Sequence, residues 1–304
     1  MSEHELAKIL QNHYGLEDFT LQFLRQGGSR TYIINGQTKY FLKVIENAFS
    51  TTAYQSVSVM RFLESNGFPV PKTFLTKSGE PLLKVSTDGD EKLILLQEYI
   101  DGTEPDLMQR AEYVGHLVGQ FHSLVQQYSH KLTCHDRQFF LGRYLDMLHK
   151  KQYPQVAAYE ALAEQLWLQI KHQPKINCHG DLHRGNLLED ANGRIYMTDF
   201  DTVCCSPVMF DIMVMCDMTN YFHLTQTDIE RTNTVYQRFL STYQQHHVLE
   251  VHDTKSFAVW VALRHFQLQA TILEIHGIDC IKDTFIDAQL QWLYDWIAAS
   301  QLAL

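Results

Sequence analysis

Three short runs of apolar and polar positions near the N-terminus predict an antiparallel β-meander. They cover residues 19–24, 30–34 and 39–44. The first run alternates only weakly and leads into a glycine-containing turn. Between the second and third runs stands Asn35-Gly36, a dipeptide that favours a tight hairpin. The pattern therefore predicts a small antiparallel sheet at the start of the chain.

A helical pattern follows the meander. Over residues 51–66, apolar residues recur every third position from Tyr54 to Leu63, and Gly67 and Pro69 end the pattern. This spacing predicts one amphipathic helix that stops before the proline.

The rest of the chain is mainly helical in its pattern. Residues 92–100 form a continuous apolar run that predicts a buried strand, and residues 111–128 predict an amphipathic helix. We place the boundary between two lobes near residue 100, which gives lobes of residues 1–100 and 101–304. Beyond Asp211 we expect helices, with three tryptophans suited to core packing: Trp260, Trp292 and Trp296.

The composition of the 304-residue chain is typical of a soluble globular protein, with 45% hydrophobic and 20% charged residues. No apolar run approaches the roughly 20 residues that span a bilayer, and the polar, acidic N-terminus is unlike a signal peptide. The six cysteines show no zinc-ligand spacing, which indicates reduced thiols. We therefore expect a cytoplasmic protein with no membrane segment.

The net charge of −10 argues against nonspecific binding to nucleic acid. From residue 197 onward there are 13 acidic residues against 5 basic ones. This excess fits either a solvated acidic surface or a substrate lobe that attracts a cation.

The most informative stretch of the chain is residues 179–201. It begins with the run HGDLHRGN at residues 179–186 and ends with the run DFD at residues 199–201. A turn, DANG at residues 190–193, separates two apolar runs between them and predicts a hairpin.

These residue types suit Mg²⁺-dependent phosphoryl transfer. That reaction needs a positioned hydroxyl group and neutralised phosphate charge more than covalent help from the protein. Asp181 is the candidate base for the hydroxyl proton. Asn186 and Asp199 offer the hard oxygen ligands that Mg²⁺ prefers, and the hairpin would bring them together.

The run HGDLHRGN, followed by an apolar strand and DFD, resembles the aminoglycoside phosphotransferase-like kinases. These are small-molecule relatives of the protein kinases, and the group includes choline kinases, type II homoserine kinases and a bacterial stress-response protein kinase. The resemblance implies an α+β, bilobal protein-kinase-like fold. A small N-terminal antiparallel sheet lobe with one main helix would bind the nucleotide. A larger, mostly α-helical C-terminal lobe would carry catalysis and the substrate.

The resemblance also implies roles for single residues. Asp181 would be the catalytic base, and Asn186 and Asp199 would hold magnesium. His179 and Asp211 would brace the catalytic loop and take no part in the chemistry.

An ATP site in the N-terminal lobe is implied as well. Glycines in the first turn let backbone N–H groups approach phosphates, Lys43 resembles the family lysine that pairs with those phosphates, and the strand at 92–100 resembles the hinge that binds adenine. The predicted cofactors are ATP and Mg²⁺. The predicted nucleotide-binding residues are Gly27, Gly28, Ser29, Lys43, Gln97, Glu98 and Ile100.

The chain departs from the family pattern in the helix predicted at 51–66. Such kinases usually carry a glutamate there that orients the strand lysine, but no acidic residue lies between Glu46 and Glu64. Either one of those two takes the role, or Lys43 is held otherwise, or activity is reduced.

Two features favour a small-molecule acceptor. His183 stands where protein Ser/Thr kinases generally carry lysine, and only twelve positions separate Asp199 from Asp211, too few for an ordinary activation segment. An amino-acid substrate would require a guanidinium group for its carboxylate, and an amine would require a carboxylate. The candidates are Arg264, Arg137 and Arg143 for the first, and Asp201, Asp217 and Glu274 for the second.

Three hypotheses follow. The first is an ATP-dependent kinase of a small molecule with a hydroxyl group, such as an amino acid, an amino alcohol, a sugar or an aminoglycoside. The second is a protein Ser/Thr kinase of the stress-response type. The third is a nucleotide-binding pseudokinase. The oligomeric state is left open.

Overall fold

The computed structural model of the chain describes residues 1–87 and 89–302. Its strands are β1 (Thr20–Gln26), β2 (Ser29–Asn35), β3 (Tyr40–Glu46), β4 (Thr73–Phe74), β5 (Leu83–Thr87), β6 (Asp90–Glu98), β7 (Gly102–Thr103), β8 (Lys175–Cys178), β9 (Leu187–Asp190), β10 (Ile195–Met197) and β11 (Cys204–Pro207). Its helices are α1 (Glu3–Tyr14), α2 (Ser50–Ser65), α3 (Leu107–Val125), α4 (Arg143–Lys150), α5 (Val156–Ile170), α6 (Met209–Cys216), α7 (Gln226–Tyr243), α8 (Val251–Lys255), α9 (Phe257–His276) and α10 (Asp283–Ala299).

The described residues divide into two units. The first contains Met1–Pro105 together with Gly185–Val203, and the second contains residues 106–184 together with the chain from Cys204 onward. The first unit holds an antiparallel sheet and the second is mainly helical, so the predicted α+β fold is confirmed. The assignment of residues 1–100 to nucleotide binding and 101–304 to catalysis stays a prediction.

The first unit is built on a sheet with the strand order β1-β2-β3-β6-β4, and β5 also pairs with β6. Side chains alternate between the two faces of a strand, so Leu42 and Val44 of β3 lie on one face and Lys43 on the other. Leu42 and Val44 join a buried core with Leu6 and Leu10 of α1. Lys43 therefore lies on the face of the sheet opposite α1.

Helix α1 is an element that the hydrophobic pattern did not predict. Its start is fixed by a capping box, in which Ser2 Oγ accepts from Glu5 N at 3.3 Å and Glu5 Oε2 accepts from Ser2 N at 2.6 Å. Such reciprocal bonds satisfy N–H groups that the first turn of a helix leaves without partners. The signal was present in the sequence as Ser-x-x-Glu at residues 2–5.

The two predicted hairpins form, with different turns. β2 ends at Asn35 and β3 begins at Tyr40, and neither Asn35 nor Gly36 has a positive φ. A two-residue type I′ turn needs positive φ at both central positions, so this hairpin closes through a longer loop, residues 36–39. Between β9 and β10, Asp190 Oδ1 accepts from the N–H groups of Asn192 and Arg194 at 2.9 and 3.0 Å.

The second unit packs around α9. Twelve of its twenty residues are buried, and it contacts α4, α5, α6 and α10. Trp260 of α9 is fully buried, and Trp292 and Trp296 of α10 are each only 2% exposed. Their predicted role in the core is confirmed. Within residues 1–87 and 89–302, every helix is too short or too polar to span a bilayer.

Helices α3 and α7 approach each other closely because α3 presents glycines to α7. A Cβ atom at Gly115 would lie 2.1 Å from Phe239 O, and one at Gly119 would lie 2.6 Å from Tyr243 O. Glycine is therefore required at both positions by the contact between the helices. Helix α3 begins four residues earlier than predicted, because the Asp106 side chain caps it through Met108 N at 2.9 Å.

Candidate active site

The β9–β10 hairpin brings together the two candidate metal ligands. Leu187 pairs with Met197, so Asn186 directly precedes the hairpin and Thr198 directly follows it. Thr198 N donates to Asn186 O at 2.9 Å, and Thr198 Oγ1 donates to the same oxygen at 3.1 Å. Asp199 is the next residue, so the hairpin register places Asn186 and Asp199 at the same end.

Asp199 has an unusual backbone and a buried cationic partner. Its φ and ψ are both 61°, a left-handed conformation that few non-glycine residues adopt and that is common at functional sites. Lys43 Nζ lies 2.7 Å from Asp199 Oδ1, and Arg25 Nη2 lies 3.3 Å from Asp199 Oδ2. Burial lowers the pKa of Lys43, but Asp201 and Asp199 outweigh it and raise the pKa above its ordinary value. Lys43 is therefore charged.

Neither of the two flanking glutamates holds Lys43. Glu46 pairs with Lys92, and Glu64 accepts from Thr73 N at 3.3 Å. Of the alternatives left open by the sequence, the structure selects the second: Lys43 is held otherwise, by aspartates.

The predicted nucleotide-binding residues lie in the first unit. Gly27 and Gly28 form the two-residue connection between β1 and β2, and Ser29 begins β2. Neither glycine has a positive φ, and a Cβ atom at Gly27 would meet no atom within 4 Å. The fold itself therefore does not require glycine at residue 27.

The hinge prediction concerns the end of β6. Glu98 N donates to Lys72 O at 2.8 Å, and Gln97 is buried with its amide 3.2 Å from Met60 Sδ. The backbone N–H of Glu98 is therefore already engaged within the first unit. The roles of these residues stay predictions.

The loop that carries Asp181 is anchored by buried Asp211 of α6. Asp211 accepts from His179 N at 2.6 Å and from Gly180 N at 2.9 Å, and His122 Nε2 lies 3.1 Å from it. Gly180 has a φ of +86°, which favours glycine. Burial alone would raise the pKa of Asp211, but these partners hold it below its ordinary value. The expected architectural role of Asp211 agrees with these contacts.

Asp181 itself is held between two basic side chains of the second unit. Arg264 Nη2 donates to Asp181 Oδ1 at 2.9 Å, and His183 Nε2 lies 3.6 Å from Asp181 Oδ2. Burial raises the pKa of Asp181, but His183 and Arg264 together lower it well below its usual range. Asp181 is therefore a carboxylate at neutral pH. Gln267, which sequence reasoning missed, accepts from Arg264 Nη1 at 2.7 Å.

Most of the candidate substrate-binding groups are already paired. Arg137 pairs with Glu164 at 3.3 Å, and Arg143 pairs with Glu274 at 2.9 Å. Asp201 pairs with Lys43 in the first unit at 2.9 Å.

Asp217 differs from the other candidate carboxylates. It accepts from Thr219 N at 2.9 Å, and among the described residues it has no ion pair within 4.0 Å. Burial raises its pKa to about 6. Asp217 is thus a carboxylate outside any direct ion pair of the described chain, and the nearby Arg264 charge offsets only part of the effect of burial on its pKa.

The donor set at the end of the β9–β10 hairpin fits magnesium. Asn186 offers an amide oxygen and Asp199 a carboxylate, and neither a thiol nor an imidazole belongs to the pair. Hard oxygen donors of this kind bind Mg²⁺ through one or two protein ligands and leave positions for phosphate oxygens and water.

The first unit thus holds a sheet lysine and an Asn and Asp pair on a hairpin, and the second unit holds a loop aspartate anchored from a helix. A sequence model of the Phosphotransferase enzyme family, APH, matches residues 20–249. The chain belongs to this family and is a phosphotransferase. Among curated protein sequences, none matches the chain.

The chain is also similar in structure to several solved kinases. The amicoumacin kinase hAmiN, in complex with AMP-PNP, Ca²⁺ and Ami, has a TM-score of 0.77 at 18% identity, over 99% of this chain and 94% of that one. A microcompartment-associated aminopropanol kinase has a TM-score of 0.79 at 15% identity, over 99% of both chains. Choline kinase LicA from Streptococcus pneumoniae has a TM-score of 0.64 at 17% identity, over 98% and 99%. The bilobal protein-kinase-like fold class is thereby confirmed.

Proposed function

We propose that the protein transfers the γ-phosphoryl group of ATP to a hydroxyl group of a small molecule, with Asp181 as the base. The observation that carries this proposal is the contact of Lys43 Nζ with Asp199 Oδ1 at 2.7 Å. In this contact Lys43, which we propose for the phosphates, meets Asp199, which we propose for the metal ion. Both residues lie in the first unit, which also contains the glycine turn.

ATP and Mg²⁺ are the cofactors that the family and its structural neighbours support, since a neighbour was solved with AMP-PNP and Ca²⁺. Asn186 and Asp199 would hold the magnesium ion, which would neutralise charge on the phosphates when bound. Lys43 would bind phosphate oxygens. Gly27, Gly28 and Ser29 would approach the phosphates, and the backbone near Gln97, Glu98 and Ile100 would bind adenine.

Asp181 would accept the proton of the acceptor hydroxyl through its carboxylate. Its low pKa, set by His183 and Arg264, means that the carboxylate is ready to accept a hydrogen bond at any physiological pH. A base this weak takes the proton late, which suits phosphoryl transfer because little nucleophile activation is needed. Its first task is to orient the hydroxyl group.

The acceptor that the structure favours carries an amine. The three arginines considered for a substrate carboxylate all have carboxylate partners: Arg264, Arg137 and Arg143. Binding an amino acid through any of them would require one of these pairs to break. Asp217, in contrast, forms no ion pair within 4.0 Å among the described residues, although the Arg264 charge lowers its pKa somewhat, and we infer that it binds the ammonium group. The aminopropanol and choline kinases among the neighbours are named for amine-bearing alcohols.

The test is a screen for ADP release against amino acids, amino alcohols, sugars and aminoglycosides. We expect turnover with at least one amine-bearing alcohol and a loss of about 10³-fold or more in kcat for Asp181→Asn. Asp136→Asn serves as the matched control, because Asp136 caps a turn through Phe139 N at 3.1 Å. Normal turnover by Asp181→Asn would show that Asp181 is not the base.

Two other functions lead to different results in the same assay. A protein Ser/Thr kinase would label a protein substrate and none of the metabolites. A pseudokinase would be stabilised by ATP and Mg²⁺ without any turnover. The pseudokinase hypothesis came from the missing helix glutamate, and the aspartates that contact Lys43 weaken that reason.

A further inference from the structure

The way in which Lys43 is held has a consequence for the site. Its side chain is 6% exposed, and a buried ammonium group is unfavourable unless opposite charges stay beside it. Helix α2 contains no acidic residue until Glu64, and Glu64 is bonded to Thr73 N. The partner of Lys43 must therefore come from elsewhere.

Two carboxylates share Lys43. Asp199 Oδ1 lies 2.7 Å and Asp201 Oδ2 lies 2.9 Å from Nζ. The other oxygen of Asp201 accepts from Ser56 Oγ at 3.4 Å, and Ser56 lies in α2 with only 1% of its surface exposed. A continuous chain of contacts thus runs from α2 through Ser56 and Asp201 to Lys43.

The two carboxylates are not equivalent. Asp199 is the one proposed for the metal ion, and its attraction for Lys43 falls when its charge is shared with a divalent cation. Both oxygens of Asp201 already have partners inside the first unit, one cation and one hydroxyl group. Asp201 is therefore the anion that remains on Lys43 when Asp199 serves the metal.

We propose that Asp201 is the positioning residue of Lys43 and that Ser56 fixes the Asp201 carboxylate to helix α2. Ser56 and Asp201 together replace an acidic side chain on the helix. This inference rests on the proposed function of Lys43 as a phosphate-binding residue. It gives a role to the buried serine of α2 that contacts Asp201 and to the second aspartate of the DFD run.

The decisive measurement is the binding of AMP-PNP with Mg²⁺ and of adenosine, by isothermal titration calorimetry. We expect Asp201→Asn to weaken AMP-PNP by about tenfold or more, as for the loss of one charge pair, with adenosine unchanged because it lacks phosphates. Ser56→Ala keeps the charge and loses only its anchor, so a smaller effect of about two- to fivefold is expected. Glu46→Gln is the matched control and should bind both ligands like wild type, because Glu46 pairs with Lys92.

A rescue variant keeps the proposal testable if Asp201→Asn is destabilised. Ser56→Glu combined with Asp201→Asn moves the acid from the DFD run to α2, and it should recover most of the affinity for AMP-PNP. In turnover assays, Asp201→Asn should raise KM for ATP and leave KM for the acceptor unchanged.

The outcomes separate the two proposals. If the wild-type protein bound no AMP-PNP, the proposed function itself would fail. If wild type bound AMP-PNP and Asp201→Asn bound it equally well, or lost adenosine to the same extent, the role of Asp201 would be overturned. A double variant that folds but recovers no affinity would also contradict it.

Discussion

Single residues in the site are held by charges that the sequence does not place together. Asp181 and Arg264 are 83 positions apart in the chain, yet their side chains meet at 2.9 Å. The guanidinium group lies partly over the Phe210 ring, 5.9 Å from its centroid, and donates to Gln267 as well. Arg264 is therefore held from three sides, and together with His183 it keeps the pKa of Asp181 low.

The first prediction concerns the pH dependence of activity. Arg264 and His183 hold the pKa of Asp181 low, so the carboxylate persists far into the acid range. Removing Arg264 raises that pKa, and Asp181 then becomes protonated at a higher pH. We expect Arg264→Met to move the acid limb of the profile of kcat/KM against pH upward, and Arg137→Met, which breaks an exposed pair, to leave it in place. An unchanged acid limb in Arg264→Met would contradict the assignment.

A second prediction concerns the stability of the protein near Asp217. The pKa of Asp217 is about 6 in the folded protein, above the value of about 3.9 in an unfolded chain. Above pH 6 Asp217 is ionised in both states, but burial makes the ionised form less favourable in the folded state. Ionised Asp217 therefore lowers the free energy of unfolding. Asp217→Asn should therefore increase the free energy of unfolding at pH 7.5, on the order of 1 kcal/mol for a partly buried group. The gain should shrink as the pH falls towards 4.

Urea unfolding at pH 7.5 and 4.5 measures this difference, with exposed Asp279→Asn as the control. The same variant should raise KM for an amine-bearing acceptor while KM for ATP stays unchanged. A variant that gained stability and kept its acceptor KM would argue against an ammonium site at Asp217.

At the scale of elements, the packing of helices depends on residues that pattern alone cannot interpret. Gly115 and Gly119 occur inside the predicted helix at 111–128, where glycine lowers helix propensity. The structure gives the reason, because α7 approaches α3 until its backbone leaves no room for a Cβ atom.

The third prediction is a loss of stability in Gly115→Ala. The new Cβ would lie 2.1 Å from Phe239 O and 2.6 Å from Thr242 Oγ1, so the two helices must separate. The free energy of unfolding should fall by about 1–3 kcal/mol or more, in spite of the better helix propensity of alanine. Gln120→Ala, on the exposed side of the same helix, should cost little. Denaturant unfolding of the three proteins measures the difference, and a stabilised Gly115→Ala would show that the contact is loose.

Elements were predictable where a local pattern was sufficient. The strands near residues 19–44, the helix near 51–66 and the hairpin at 187–197 follow from alternation, helical spacing and turn residues. Two features were missed because the local pattern of apolar and polar residues does not indicate them. Helix α1 has a weakly apolar sequence, and a capping box marks its start. The loop between β2 and β3 spans residues 36–39, a length that the dipeptide Asn35-Gly36 does not indicate by itself.

At the scale of the molecule, the first unit is discontinuous in the sequence. Residues 185–203 lie in the second half of the sequence, but they belong to the same unit as residues 1–105. There β9 pairs with β7, Met197 N donates to Pro69 O at 2.9 Å, and Asp199 and Asp201 reach Lys43.

The fourth prediction follows from this discontinuity. A fragment of residues 1–105 lacks both carboxylates that neutralise Lys43, and an unpaired buried charge costs about 3–5 kcal/mol. We expect the fragment to be unfolded or much less stable than the same fragment joined through a Gly/Ser linker to residues 185–203. Far-UV circular dichroism and urea unfolding compare the two. Equal stability would mean that the carboxylates contribute nothing to the first unit.

The sequence by itself determined the reaction class. HGDLHRGN, a hairpin and DFD lie close together in the chain, so local spacing was enough to suggest a base and two oxygen ligands for a metal. The α+β fold class followed from the resemblance of these runs to a known kinase family. Only the tertiary structure decided how the charges pair: Arg264 contacts Asp181, Asp201 and Ser56 hold Lys43, and Asp217 stays outside any direct ion pair in the described part of the chain. Such pairs join residues that are far apart in the chain. They form because a charge that folding removes from water needs an opposite charge beside it.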